Sequence, residues 1–140
     1  MNLKELARRD LERAGLIFQE ARSYKDRGIW NMAVRRAQEA VELALKASLR
    51  WAGLDVPRVH DVGPTLKQHT ARFPDQFSKL VPKLAEISRA LRLERETSFY
   101  GDEASGVAAE ELYVAEDAEK ALEKAEFVLR ACEALFTRRG

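Results

Sequence analysis

The sequence predicts an all-α fold, an up-and-down antiparallel bundle of four long helices plus one short helix. Apolar residues recur every three or four positions through four long stretches, which is the spacing of one helix face. Glycine and proline residues separate these stretches, and none shows the alternation typical of a β-strand. Because 140 residues is the usual size of one domain, we expect residues 1–140 to form a single helical domain.

The first predicted helix covers residues 2 to about 26. Asn2 is followed three positions later by Glu5, a spacing typical of a helix start at which a side chain caps the backbone. Gly28 ends the helix. Its apolar stripe consists of Leu3, Ala7, Leu11, Ala14, Phe18 and Ala21.

The second predicted helix, residues 29 to about 52, has the strongest helical pattern in the chain. Its apolar face is wide, which predicts a central helix with neighbours on two sides. Glu42 and Lys46 are four residues apart, so we expect a helix-surface ion pair worth only ~0.2–0.5 kcal/mol, without a catalytic role. The stripe consists of Trp30, Ala33, Val34, Ala37, Val41, Ala44, Leu45, Ser48, Leu49 and Ala52.

A connector rich in proline and glycine covers residues 54–64, and a short helix is predicted from there to about Arg72. The third long helix is predicted to run from a break at Pro74 to about Thr97. Its apolar stripe consists of Leu80, Leu84, Ile87 and Leu91. Arg95 lies one helical step further along this face. We therefore expect its stem to pack inward while the guanidinium reaches outward.

Residues 101–112 show no helical period and are predicted to form a loop. The fourth long helix is predicted to begin at Glu116 and Asp117, whose negative charges suit a first turn. Arg138 and Arg139 suit its C-terminal end. The apolar stripe consists of Ala118, Ala121, Leu122, Ala125, Val128, Leu129, Cys132, Leu135 and Phe136.

The charge balance and the cysteine count exclude several classes of protein. Lys plus Arg total 24 against 23 Asp plus Glu, so any binding of nucleic acid is expected to depend on a local patch. One cysteine excludes an intramolecular disulfide and a zinc site of several cysteines. No apolar run approaches the ~18 residues of a membrane span, and no signal-peptide pattern is visible. We therefore expect a cytoplasmic protein without a membrane partner.

Several reactive residue types are predicted to have structural roles. A metal site needs more ligands than the two histidines offer, so we expect His60 to hydrogen-bond a helix start and His69 to lie at the surface. Cys132 lies on an apolar stripe and is predicted to be buried and inert. Arg35 and Arg36 are predicted to lie on a solvated helix face. Without a Gly-rich phosphate loop, neither a cofactor nor a metal is predicted.

The stretch around Arg95 carries the candidate site. A guanidinium fork suits phosphate oxygens, and the tyrosine beyond it offers a ring to stack on a base or a hydroxyl to bind a phosphate. The predicted ligand-binding residues are Arg92, Arg95, Glu96, Ser98 and Tyr100, with Arg95 and Tyr100 as the candidate catalytic pair. The alternative is structural: Arg92 and Glu96 form a surface ion pair, and Arg95 only caps the helix or pairs with an acid such as Asp102.

Four segments of the chain resemble the HEPN family (higher eukaryotes and prokaryotes nucleotide-binding). Residues 37–47, Ala-Gln-Glu-Ala-Val-Glu-Leu-Ala-Leu-Lys-Ala, resemble the family's second-helix signature. His60-Asp61-Val62 is similar to the His-Asp-aliphatic step that follows it. Residues 95–100 and 113–125, the latter containing Glu-Asp-Ala, resemble the later part of the family pattern. The resemblance covers nearly the whole chain, and these segments follow the family's order and spacing.

The resemblance implies a bundle of four long helices plus a short one, usually as a homodimer. Many members are metal-independent endoribonucleases in which an arginine is followed four to six residues later by a histidine, and the dimer brings two such motifs into one cleft. Others pair with a small nucleotidyltransferase in a toxin–antitoxin relationship. Arg95 matches the motif arginine and Glu96 the polar position after it, but Tyr100 or Gly101 stands where the histidine would be.

Three functions remain open from the sequence. The first is a HEPN-like dimer that binds RNA or a nucleotide through Arg95, Ser98 and Tyr100, with a nucleotidyltransferase as its toxin–antitoxin partner. The second is a divergent endoribonuclease toxin in which Arg95 steadies the phosphate and Tyr100 or Ser98 assists. The third is a structural helical partner protein without a small-molecule site. The missing histidine leaves open whether the chain is an enzyme.

Overall fold

The computed structural model describes residues 2–137 and confirms the all-α prediction, since these residues contain no β-strand. Arg138 and Arg139 lie outside the described residues. None of the described helices has the length and apolarity that crossing a membrane requires. The helices are α1 (Leu3–Asp26), α2 (Trp30–Trp51), α3 (Gly63–Gln68), α4 (Asp75–Ser78), α5 (Val81–Arg92), α6 (Thr97–Tyr100), α7 (Ala109–Leu112) and α8 (Ala115–Thr137), with a 3-10 turn at Thr70–Arg72.

Helices α1 and α2 form a hairpin at the N-terminal side of the chain. The predicted cap is present: Asn2 Oδ1 accepts a hydrogen bond from the Glu5 backbone N–H at 2.9 Å. Gly28 allows the short connection because its φ of 73° lies in the left-handed region. The buried residues of α1, which face α2 and α8, are Ala7, Ala14, Phe18 and Ala21.

Helix α2 is the central helix, as its wide apolar face predicts. It packs against α1 and α8 and also contacts α5, α6 and α7. Alanines let these neighbours approach closely, and the larger Leu45 and Leu49 fill the core between them without exposure to solvent. The same helix buries three polar residues, Asn31, Gln38 and Ser48. Buried polar groups are normally hydrogen-bonded, and two of these, Asn31 and Gln38, bond to the segment around Arg95 that carries the candidate site.

The third long helix is shorter than predicted. Helix α5 has 12 residues, whereas α1, α2 and α8 each have more than 20. Helix α5 ends because the backbone tightens there: Glu94 N–H donates to Leu91 O at 3.0 Å and Arg95 N–H to Arg92 O at 3.1 Å. Residues 97–100, predicted to stop the helix, instead form the single turn α6. Arg95 therefore lies in a turn between two helices.

Cys132 is fully buried on α8, as predicted, with Sγ 3.5 Å from Ala44 O of α2. Burial raises the pKa of its thiol, which suppresses the reactive thiolate. We expect Cys132→Ser to lower the free energy of unfolding by about 2 kcal/mol, because a hydroxyl buried there loses its hydration. Urea denaturation measures this change. Rapid labelling of the native protein by a thiol reagent would contradict the inert role.

Candidate functional site

The side chain of Arg95 lies against helix α2. Its Nη1 donates a hydrogen bond to Gln38 Oε1 at 3.1 Å and lies 3.9 Å from Glu42 Oε1. The hydrogen bond to Gln38 holds one end of the guanidinium, and about a fifth of the Arg95 side chain, 22%, is exposed to solvent. Among residues 2–137 the acid that pairs with Arg95 is Glu42 of α2, not Asp102 of the following loop.

Glu42 is the centre of the polar cluster around Arg95. Its Oε2 accepts a hydrogen bond from Lys46 Nζ at 2.9 Å, and its Oε1 lies 3.0 Å from Gln38 Nε2 and 2.9 Å from His60 Nδ1. Burial raises the pKa of Glu42, but the hydrogen bonds from Lys46, Gln38 and His60 outweigh burial and leave it below the ordinary value. The predicted pair of Glu42 and Lys46 is present, but both side chains are mostly covered rather than at an open helix surface.

His60 reaches Glu42 from the connector between α2 and α3. Its predicted hydrogen bond to a helix start is wrong, because the neighbouring Asp61 has that role. Asp61 Oδ1 accepts hydrogen bonds from the Gly63 backbone N–H at 3.0 Å and from Ser88 Oγ at 2.9 Å, which ties the connector to α5. The His60 side chain is 42% exposed, and its Nε2 has no hydrogen-bond partner among residues 2–137.

Arg35 supports the turn that carries Arg95. It was predicted to be solvated, but its side chain is only 15% exposed. Its Nη1 donates a hydrogen bond to the Arg95 backbone oxygen, and its guanidinium lies 5.2 Å from the centre of the Phe99 ring. Water does not surround Arg35 because the turn between α5 and α6 covers this face of α2. Arg36 is more open and pairs with Glu20 and Glu39.

Ser98, a predicted ligand-binding residue, is fully buried. Its hydroxyl donates to Arg95 O at 3.3 Å, and its own backbone oxygen accepts a hydrogen bond from Asn31 Nδ2 at 3.1 Å. Asn31 is itself buried on α2. These bonds fix α6 to α2, so Ser98 positions the backbone of Arg95 and does not face solvent.

The other predicted site residues lie at the surface. Arg92 and Glu96 form the expected i,i+4 ion pair at 3.1 Å. Tyr100 is 63% exposed, and its ring meets Phe99 edge-on with ring centres 4.9 Å apart. No hydrogen bond joins Tyr100 to Arg95 in the described part of the chain. The structure thus links Arg95 to α2, pairs Arg92 with Glu96, and leaves Tyr100 exposed at the end of α6.

The family model for the HEPN domain matches residues 7–135, which is most of the chain. The chain belongs to the HEPN family. No curated protein matches it.

Two solved structures are similar to this HEPN domain. The crystal structure of TT1696 from Thermus thermophilus superposes with a TM-score of 0.75 at 25% identity, over 91% of this chain and 96% of that chain. The crystal structure of ST0689, described as an archaeal HEPN homologue, gives a TM-score of 0.72 at 21% identity, over 94% and 98% of the two chains. The second likeness shows the fold alone.

Sequence reasoning missed the two side chains that Arg95 approaches in this HEPN domain, Gln38 and Glu42, and it missed His60, which lies against the same Glu42. One signal for them was available. Gln38, Glu42 and Lys46 recur every four residues, which places three polar side chains in one row along helix α2. Within residues 2–137, no group of three or more His, Cys, Asp or Glu side chains is arranged to hold a metal ion.

Proposed function

We propose that this HEPN domain binds RNA or a nucleotide through its phosphate, with Arg95 as the principal contact. The observation that carries the proposal is the position of the Arg95 side chain, whose Nη1 donates to Gln38 Oε1 at 3.1 Å while about a fifth of the side chain stays open to solvent. A side chain already held in place loses less conformational entropy when a ligand binds. Lys46 offsets the charge of Glu42, so Arg95 retains its attraction for an anion.

Exposed aromatic rings on α6, the helical turn that follows Arg95, support the same function. Tyr100 is largely exposed and Phe99 about half exposed. Bases stack on aromatic side chains with roughly 1–3 kcal/mol per base, and an arginine a few residues earlier in the chain can bind the adjoining phosphate. This arrangement favours a single-stranded RNA or a nucleotide, whose bases are accessible, over a closed duplex.

We also propose a homodimer as the working unit, with the end of α5 and the following turn at or near the interface. Leu93, Phe99 and Tyr100 are large side chains exposed along this segment, and exposed apolar clusters often mark interfaces. Light scattering at micromolar concentration is expected to give twice the chain mass of 15.9 kDa. A clean monomer would contradict this proposal.

The HEPN resemblance supports two further parts of the proposal. One is a small nucleotidyltransferase as protein partner, in a toxin–antitoxin relationship within the cytoplasm. The other is that residues 1–140 act as a single domain. Co-purification with a nucleotidyltransferase encoded beside this chain tests the partner.

We expect Arg95→Ala to weaken binding of a single-stranded RNA oligonucleotide at least about tenfold, since a hydrogen bond to a charged group contributes roughly 1.5–3 kcal/mol. Fluorescence anisotropy at fixed salt measures the affinity, because phosphate contacts depend on salt. Tyr100→Phe separates the contribution of the Tyr100 ring to binding from that of its hydroxyl group. Arg130→Ala is the matched control, since Arg130 is an exposed arginine of α8 paired only with Glu126 in the described residues.

The outcomes separate the open functions. Binding by the wild type and by Arg130→Ala, with loss in Arg95→Ala and an unchanged melting temperature, supports a phosphate site. Absence of binding by the wild type refutes the proposal and leaves the structural helical partner. If Arg95→Ala binds with the same affinity as wild type, Arg95 is not part of the binding site.

A further inference from the structure

An imidazole and a guanidinium converge on one carboxylate oxygen of α2. His60 Nδ1 lies 2.9 Å from Glu42 Oε1, and Arg95 Nη1 lies 3.9 Å from the same oxygen. The two residues come from separate segments, the connector after α2 and the turn after α5, so only the fold brings them together. Hydrogen bonds from neighbouring residues hold both segments in place: Asp61 ties the connector to α5, and Arg35 and Ser98 hold the turn.

Glu42 orients the imidazole of His60. A carboxylate at Nδ1 favours the tautomer in which that nitrogen carries the proton, and we assign this tautomer from the geometry. Nε2 is then the basic nitrogen. It has no partner among residues 2–137, and much of the side chain is open to solvent. Glu42 is itself fixed by Lys46 and by Gln38, whose side chain is almost completely buried.

We infer that His60 is a general base that acts on RNA held at Arg95; this rests on the proposed function. His60 Nε2 removes the proton of a ribose 2′-hydroxyl, and the 2′-oxygen forms a bond to the adjacent phosphorus. The bond from phosphorus to the 5′-oxygen breaks, and the leaving oxygen takes a proton from solvent. The imidazolium returns its proton to solvent. The products are a 2′,3′-cyclic phosphate and a 5′-hydroxyl, and the step balances with RNA and water alone.

The roles of the neighbouring groups follow from their positions. Arg95 is placed to neutralise the phosphate oxygens during attack, which is the usual task of a guanidinium in such sites. Glu42 is a positioning residue that acts through His60. Ser98 is buried and Tyr100 has no oriented hydrogen-bond partner among the described residues, so neither matches the arrangement of an activated base. No histidine follows Arg95 by four to six residues in the sequence, and His60 of the α2–α3 connector supplies the base instead.

Cleavage and binding are measured separately to test the inference. Wild type is incubated with a single-stranded RNA in the presence of a chelator, and fragments ending in a 2′,3′-cyclic phosphate are quantified. Binding is measured with a 2′-O-methyl oligonucleotide of the same sequence, which keeps the phosphates but lacks the nucleophile. We expect His60→Gln to slow cleavage at least about 100-fold without weakening binding, because general-base catalysis contributes roughly 10²–10⁴-fold.

His69→Gln is the matched control, because it removes the other histidine of the chain from outside this cluster and should leave cleavage unchanged. His60→Ala with imidazole added to the solution gives a second readout, since restored cleavage identifies the base even if the variant is less stable. Binding of the 2′-O-methyl oligonucleotide without cleavage of RNA by wild type would overturn this inference and leave the proposed function intact. Cleavage by His60→Gln at the wild-type rate would also overturn the inference. Failure of wild type to bind either oligonucleotide would refute the proposed function as well.

Discussion

Glu42→Ala is expected to lower the free energy of unfolding by about 3 kcal/mol, since breaking a buried ion pair costs roughly 3–5 kcal/mol and this one is partly open. The carboxylate joins Lys46, Gln38 and His60, and Arg95 lies 3.9 Å away. Its removal leaves the Gln38 amide, which is almost fully buried, without the acceptor of its N–H group. Glu42→Gln keeps the shape and one acceptor, so it should cost less. Guanidinium denaturation measures both.

The contribution of Glu42 is also expected to depend on pH. Burial raises its pKa, but the hydrogen bonds from Lys46, Gln38 and His60 outweigh burial, so the pKa in the folded protein lies below the ordinary value of 4.5. A carboxyl group whose pKa is lowered by folding stabilises the fold at pH values above its pKa in the unfolded state. This stabilisation is lost as the pH falls through the pKa in the folded state. The stability difference between wild type and Glu42→Gln should therefore shrink below pH 4.5. A difference that stays constant from neutral pH to about pH 3 would contradict this role.

Gly101→Ala is expected to destabilise the protein by about 3 kcal/mol, combining backbone strain with a steric clash. Gly101 ends α6 with φ 77° and ψ −162°, a region that only glycine adopts readily. A Cβ there would also lie 2.7 Å from the Ala109 backbone nitrogen and closer still to Val107 O. The surrounding atoms belong to the backbone of residues 107–109, which lead into α7, so they cannot move aside cheaply.

Gly106→Ala is the matched control for Gly101→Ala. Gly106 also has a positive φ, 72°, but a Cβ there would meet no atom within 4 Å. Only the backbone cost remains, about 1–2 kcal/mol. Urea denaturation of both variants separates strain from clash. Equal losses in the two would show that the packing of Gly101 against residues 107–109 contributes nothing.

Among the long helices, α1 and α2 could be predicted from the sequence to within one or two residues at both ends, and α8 at its start. Their apolar period persists for five or more turns, and local signals such as the Asn2 cap and Gly28 mark the ends of α1. The break after α5 could not be predicted, because the stripe ending at Leu91 continues in register to Arg95. The turn there is fixed by α2, through Arg35 to Arg95 O and Asn31 to Ser98 O, across 60 and 67 residues of sequence.

The candidate site was only partly predictable for the same reason. Arg95 could be singled out from its place at the end of an apolar stripe. Its partner Gln38 is 57 residues away in sequence, and His60 meets Glu42 only because the connector folds back on α2. Ser98 follows Arg95 by three residues, as helical spacing requires, and that spacing buries it instead of exposing it beside a ligand. Local spacing therefore identified the arginine but could not identify the residues that hold it.

The proposal that Arg95 contacts a phosphate is tested most directly by the salt dependence of RNA binding. Each phosphate contact to a single strand contributes about 0.7 to the slope of log affinity against log salt concentration. We predict that Arg95→Ala binds more weakly than wild type at every salt concentration, with a slope smaller by about 0.7 for each Arg95 that engages the RNA. Equal slopes and equal affinities for wild type and Arg95→Ala would contradict the proposed site.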